Sequence, residues 1–208
     1  TPEALDLQRD LAEMVAAGDK AAVMEVSSHA LDLGRTLGLQ FRALAFTNLT
    51  QDHLDYHATI DEYFAAKKLL FLDEAYQIGD PMAVMNIDDP HVLEVALTLP
   101  RERVIGCSTT SEVGPWGPAD LEWSDYTVGS GGTHGDMVVR GQAARLMGVE
   151  PGLGLELASP LLGEFNVANT LTALGLGLVL GLDMAKMLRD LDAFDGVPGR
   201  MEPVEARP

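Results

Sequence analysis

The chain has 208 residues, 47% hydrophobic and 22% charged, a composition ordinary for a water-soluble globular protein. Its 14 Lys and Arg stand against 32 Asp and Glu, and a net charge of −18 works against nucleic acid or anionic lipid as a partner. The sequence has no run of about eighteen apolar residues to make a membrane span, and its one cysteine, Cys107, excludes an internal disulfide. The opening "TPEALDLQRD" is acidic and amphipathic, unlike a secretory signal, so a cytoplasmic protein is expected.

"PEALDLQRDLAEMVAAG" (2–18) reads as a helix with Leu5, Leu11, Met14 and Val15 near one stripe and a stop at Gly18. "AAVMEVSS" (21–28) is a strand candidate interrupted by Glu25, and "ALAFTNL" (43–49) is a second. "TIDEYFAAKKLLFLDEAY" (59–76) is an amphipathic helix with Asp61 and Glu62 in its first turn, where the dipole favours acids. A strand follows at 81–88, then a helix at 89–99 opened by Asp89 and Pro90, then a strand at 101–108. Near-continuous apolar strands alternating with helices predict an α/β fold, a mostly parallel sheet covered on both faces.

Residues 109–160 change character, with Gly, Pro, Ser and Thr between short segments, which predicts a small antiparallel β patch. "SGGTHG" (130–135) reads as a hairpin connection, since no GxxxxGK[ST] pattern follows. Helices are expected at 166–181 and 183–192, the first a closely packed one because "LTALGLGLVLGL" carries three glycines.

Chemistry concentrates in "TNLTQDHLDYH" (47–57). His53 and His57 at i, i+4 suit zinc on a helix, yet Leu54 stands where the Glu of HExxH belongs. A strand delivering one His to its carboxyl end, with Glu25 on a neighbouring strand, suits Mg²⁺ beside a nucleotide. The bland alternative is that both histidines cap or decorate a surface. A carboxylate inside "VMEVSS" needs a partner or an ion if it is buried, and Ser27 or Ser28 is equally a helix cap. Lys67 and Lys68 usually only solvate such a helix. Asn166 and Asn169 are a helix cap with its neighbour, or amides for a base edge.

In order and spacing, "MEVSSHAL", "TNLTQDHLDYH", "YFAAKKLLF", "NIDDP", "GEFNVANTLTA" and "VPGRME" resemble the central domain of the Mur ligases. The wording of the first two is most similar to the members that add the third amino acid to UDP-N-acetylmuramoyl-L-alanyl-D-glutamate. The resemblance implies a two-step ligase: ATP phosphorylates a substrate carboxylate, and an incoming amine displaces the phosphate. Its substrates are the UDP-N-acetylmuramoyl dipeptide and a free amino acid, its cofactor is Mg²⁺, and the family suggests a monomer. By position, Glu25 and His53 match Mg²⁺ ligands, and Lys67 matches a lysine carbamylated in this family. His57 is then structural. Thr1, Ser27 and Arg35 match residues that hold the UDP-sugar dipeptide, while Leu33 departs from a polar residue some members use. Asn166 and Asn169 match adenine-side asparagines, and Arg200 an arginine facing the nucleotide.

The family's GTxGKT loop is not in these residues. The expected organisation is a truncated central ATP-binding domain at 1–202, with 109–160 a β-rich subregion and 203–208 the start of a hinge, inactive alone. Rival readings are a folylpolyglutamate synthetase-like relative and a non-catalytic, degenerate ligase module.

Overall fold

A computed structural model of the chain describes residues 1–50, 56–194 and 196. These form two compact units, Thr1–Arg42 with Leu49–Pro81, and Ala43–Asn48 with the chain from Met82 onward.

The first unit holds helices α1 (Ala4–Ala17), α2 (Ser28–Asp32) and α3 (Ile60–Leu72). α1 stops at Gly18, with φ 92°, where the Gly18 amide donates to the Val15 carbonyl and the Asp19 amide to the Met14 carbonyl. The buried face is not the expected stripe. Leu7 is buried and Leu11 partly so, while Leu5 and Val15 are exposed. Positions 5 and 7 lie about 200° apart on a helix, and spacing alone does not say which face finds a neighbour. α3 is capped by a reciprocal pair that the sequence reading did not name: Thr59 accepts from the Glu62 amide, and the Glu62 carboxylate accepts from the Ala58 amide.

The expected strand at 21–28 does not form. Residues 21–27 have no regular secondary structure, Val23 is exposed, and Ser28 already begins α2. A strand is a property of a pair, and among the described residues nothing offers this segment a ladder, so its β-branched residues have no sheet to fit.

The second unit is a six-stranded sheet in the order β1 (Ala43–Phe46), β2 (Met82–Asn86), β3 (Val104–Ser108), β4 (Leu121–Gly129), β5 (Gly132–Val139), β6 (Leu153–Ser159). The first four strands run parallel, and β4, β5 and β6 are antiparallel. The β-rich region therefore continues the main sheet through Cys107 opposite Leu121. The turn at Ser130–Gly131 joins β4 to β5. Gly132 follows with φ 114°, where a Cβ would stand 2.2 Å from the Ser159 carbonyl oxygen.

Helices α4 (Pro90–Thr98), α5 (Gly141–Met147), α6 (Phe165–Val179) and α7 (Met184–Asp192) complete this unit. Asp89 caps α4 by accepting from the amides of His91 and Val92, with Pro90 at its first position. Val84, Ile105, Cys107, Leu121, Trp123, Met137 and Leu157 pack with Val167, Leu171 and Leu174 of α6 in one core. Gly175 brings α6 close to the sheet, since a Cβ there would stand 2.6 Å from Val84. On the other face Met85 and Val104 are buried, and α4, with Val92 and Val95 buried, packs on β2. α5 is absent from the sequence reading, because seven residues between glycines are too few to display a helical period.

Candidate functional site

Within the first unit, the unladdered segment 21–27 is fixed by side chains. The Thr1 hydroxyl donates to the Glu25 carbonyl oxygen at 2.8 Å and accepts from the Ser27 amide at 3.1 Å. One hydroxyl lone pair of Thr1 remains for a ligand. The Arg35 guanidinium donates to the Thr1 carbonyl oxygen at 3.1 Å and pairs with Glu3 at 2.6 Å. Its Nε is buried without a hydrogen-bond partner among the described residues.

Ser27 is the cap of α2: its Oγ accepts from the Ala30 amide at 3.2 Å. The hydroxyl proton is thereby left to donate elsewhere. Cap and ligand contact, alternatives in the sequence, are compatible in one side chain. Leu33 is 56% exposed just past α2, so no polar contact comes from that position.

Glu25 is exposed, and its carboxylate has no partner among the described residues. This corrects the expectation that it is a carboxylate enclosed in a strand, since without a ladder the segment runs along the surface. Lys67, half-buried on α3, donates to the Val26 carbonyl oxygen at 3.4 Å and lies 5.7 Å from the Tyr63 ring centre. Lys67 thus meets the residue that follows Glu25 in the chain. The exposed Glu25 carboxylate is the ligand type that Mg²⁺ takes, whereas Lys67 would serve it only as a carbamate. His53 lies outside the described residues, and among those described no group of three or more His, Cys, Asp or Glu gathers as a metal cluster.

His57 is 6% exposed, and its Nε2 stands 2.9 Å from the Oγ of Ser28, itself fully buried. Its ring meets Tyr56 edge-on at 4.8 Å and lies 5.5 Å from Tyr63. With Nε2 engaged and the ring enclosed, His57 is not presented for a zinc pair with His53. Tyr56 donates to Asp32 at 2.5 Å, and that bond, with some desolvation, holds its phenol above the usual range. The Ser28–His57 contact spans 29 positions, which no local motif betrays.

In the second unit, Asn166 and Asn169 lie one turn apart near the start of α6. Asn166 donates to the Leu162 carbonyl oxygen at 2.7 Å, and its Oδ1 accepts from Asn169 Nδ2 at 3.2 Å. Each asparagine keeps one side-chain N–H, and exposed Asn169 also keeps its carbonyl oxygen. Arg200 lies outside the described residues. At the carboxyl edge of the sheet, Asn86 donates to the Thr47 carbonyl oxygen at 2.8 Å. Asp88 there accepts from Ser108 and Thr109, bordering a cavity of about 260 Å³ with Trp116.

Residues 1–177 match the Mur ligase middle domain. The chain belongs to that family. Over all 208 residues it is 46% identical to the UDP-N-acetylmuramoyl-L-alanyl-D-glutamate–2,6-diaminopimelate ligase of Synechocystis sp., covering 37% of that protein. Over its whole length it is 44% identical to the ligase of the same name from Thermosynechococcus vestitus, covering 38% of it. The chain thus spans under two-fifths of the length of these relatives. A solved structure of a ligase with that name superposes with TM-score 0.79 at 30% identity, over 100% of this chain and 39% of that one. MurF from Acinetobacter baumannii, at TM-score 0.61 and 17% identity over 80% of this chain and 32% of its own, shares the fold.

Proposed function

We propose that the complete protein carrying this middle domain is an ATP-dependent ligase that joins diaminopimelate to UDP-N-acetylmuramoyl-L-alanyl-D-glutamate in peptidoglycan synthesis. The observation that carries the reading is the end-to-end match, at 46% and 44% identity, to relatives bearing that ligase's name. In the proposed reaction a D-glutamate carboxylate oxygen attacks the terminal phosphorus of ATP, ADP leaves, and an acyl phosphate forms. The amine of the third amino acid then attacks the acyl carbon. Phosphate departs, the nitrogen releases a proton, and an amide remains.

Bound Mg²⁺ offsets the charge of the transferring phosphoryl group. Glu25, His53 and Lys67, the last as its carbamate, are the residues proposed to hold it, which accords with the exposed Glu25 carboxylate and with Lys67 meeting the next residue's carbonyl. Ser27 is proposed to donate its spare hydroxyl proton to the UDP-dipeptide, with Arg35 Nε and the Thr1 hydroxyl completing the grip. Asn169 is proposed to read the adenine edge, steadied by Asn166, with Arg200 toward the nucleotide. The enzyme is proposed to work as a cytoplasmic monomer.

The test is phosphate release from ATP by the complete protein, with Mg²⁺, the UDP-dipeptide and, in turn, diaminopimelate, lysine or ornithine. Release that requires the dipeptide and diaminopimelate is the expected result. Release with lysine or ornithine instead keeps the ligase and overturns the third residue. No release from folded protein in any combination overturns the assignment.

A further inference from the structure

Segment 21–27 carries Glu25 and Ser27 yet has no ladder to hold its shape. Three side chains outside it supply anchors: Thr1 at the Glu25 carbonyl and Ser27 amide, Lys67 at the Val26 carbonyl, and His57 at Ser28. Thr1 and Lys67 already belong to the proposed ligand-binding set. His57 does not, and at 6% exposure it is too enclosed to touch a substrate.

Its partner explains what it does. Ser28 is the first residue of α2, next to the Ser27 cap, and is fully buried. The first turn of a helix offers such a hydroxyl no obligatory local partner, and leaving it unanswered in the interior is costly. His57 answers it at 2.9 Å, and Tyr56 and Tyr63 fix the ring that does so. The start of α2 is thereby tied through a side chain at Ser28 as well as capped at Ser27.

We propose that His57 is a positioning residue of the ligase site, holding through Ser28 the turn from which Ser27 grips the UDP-dipeptide. This rests on the functional reading above. It predicts a loss confined to the dipeptide side of the reaction.

The test uses the complete enzyme and the substitutions His57→Phe, His57→Gln and Ser28→Ala. Phe keeps the ring's bulk and loses the hydrogen bond, and Gln keeps an amide able to reach the hydroxyl. Dipeptide affinity is measured by calorimetry without ATP, and KM is measured separately for dipeptide and ATP. His57→Phe is expected to weaken dipeptide binding and raise its KM about tenfold, with the KM for ATP within about twofold of wild type. His57→Gln recovers most of that loss. Adding Ser28→Ala to His57→Phe brings little further change, because both remove one interaction.

Dipeptide binding within about twofold of wild type in folded His57→Phe overturns the proposal. So does a rise in both KM values together that Gln does not rescue, the mark of general damage. Should His57→Phe fail to fold, Ser28→Ala alone must shift the dipeptide and spare ATP, or the proposal fails. A wild-type enzyme without dipeptide-dependent phosphate release sinks the functional reading and this role with it. An active wild type with indifferent variants sinks only this role.

Discussion

Leu121 of β4 pairs with Cys107 on one side and Val139 on the other, fully buried, while Ser27 has no strand beside it and depends on Thr1 for its amide. The sheet unit holds its geometry redundantly, through ladders and a shared apolar core, so removing one contact leaves the rest in place. The turn in the helical unit is held by a few hydrogen bonds, each from a single nameable side chain. Of the residues matched to ligands, Asn166 and Asn169 stand on α6 of the sheet unit, while Thr1, Glu25, Ser27 and Arg35 belong to that second kind of construction. There a substitution shifts geometry before it costs much stability.

Asp120 is the sharpest way to break this comparison, because it is the polar exception inside the sheet unit. Its carboxylate, fully buried, accepts from the Gly106 amide at 2.7 Å, the Gln142 amide at 2.6 Å and the Arg101 guanidinium at 2.8 Å. It joins β3 to the start of α5, where a Cβ on Gly141 would stand 2.0 Å from Oδ1. Asp120→Ala strips all three donors of their acceptor and is expected to cost about 3 to 5 kcal/mol. Urea unfolding followed by tryptophan fluorescence reads this, since Trp116 and Trp123 both lie in the sheet unit. A loss below about 1 kcal/mol would mean that the ladders hold this unit without its buried carboxylate.

Much of the sheet unit was legible in the sequence because its signals are local. Asp89 before Pro90 marks the start of α4, and the glycines near Gly175 mark a helix pressed onto a sheet. The strand expected at 21–28 fails for the opposite reason: "AAVMEVSS" has the right residues, but pairing is not encoded in them. The same limit hid the work of His57. Its partner Ser28 is 29 positions away, and only folding brings the two side chains together. Glu25, Ser27 and Lys67 were singled out through resemblance alone, and their order in the chain says nothing of Thr1 bridging the first two.

Tyr76 sharpens the comparison at smaller cost. It is buried in the helical unit and donates to the Leu31 carbonyl oxygen at 2.8 Å, at the far end of α2 from Ser28. Tyr76→Phe is expected to cost about 1 kcal/mol and to act locally. Amides of α2 should exchange with solvent roughly five- to tenfold faster, with those of β4 unchanged. Burial also pushes the Tyr76 phenol up from its ordinary value of 10.0. A raised folded-state value means that stability from this group is fully present below the ordinary value and is lost as pH rises from there through the folded value. The Phe variant should lose that alkaline slope. Equal acceleration in β4 would show that the bond supports more than its own helix.

Cys107 gives the smallest expected effect, and it tests the sheet unit's redundancy from within. The thiol is 1% exposed in the core beside Ile105 and Leu121, and burial, reinforced by the nearby Asp120 and Asp88 charges, pushes its pKa far above the ordinary thiol value. Reactivity belongs to the thiolate and requires access, and the native packing denies both. A disulfide reagent at pH 8 should therefore leave the native chain unlabelled and modify one thiol per chain in urea. If labelling follows the equilibrium population of the unfolded unit, Asp120→Ala should speed it sharply and Tyr76→Phe should not. Labelling that is fast in wild type would mean that β3 opens without the rest of the sheet, and the redundancy ascribed to the ladders would not hold at that strand.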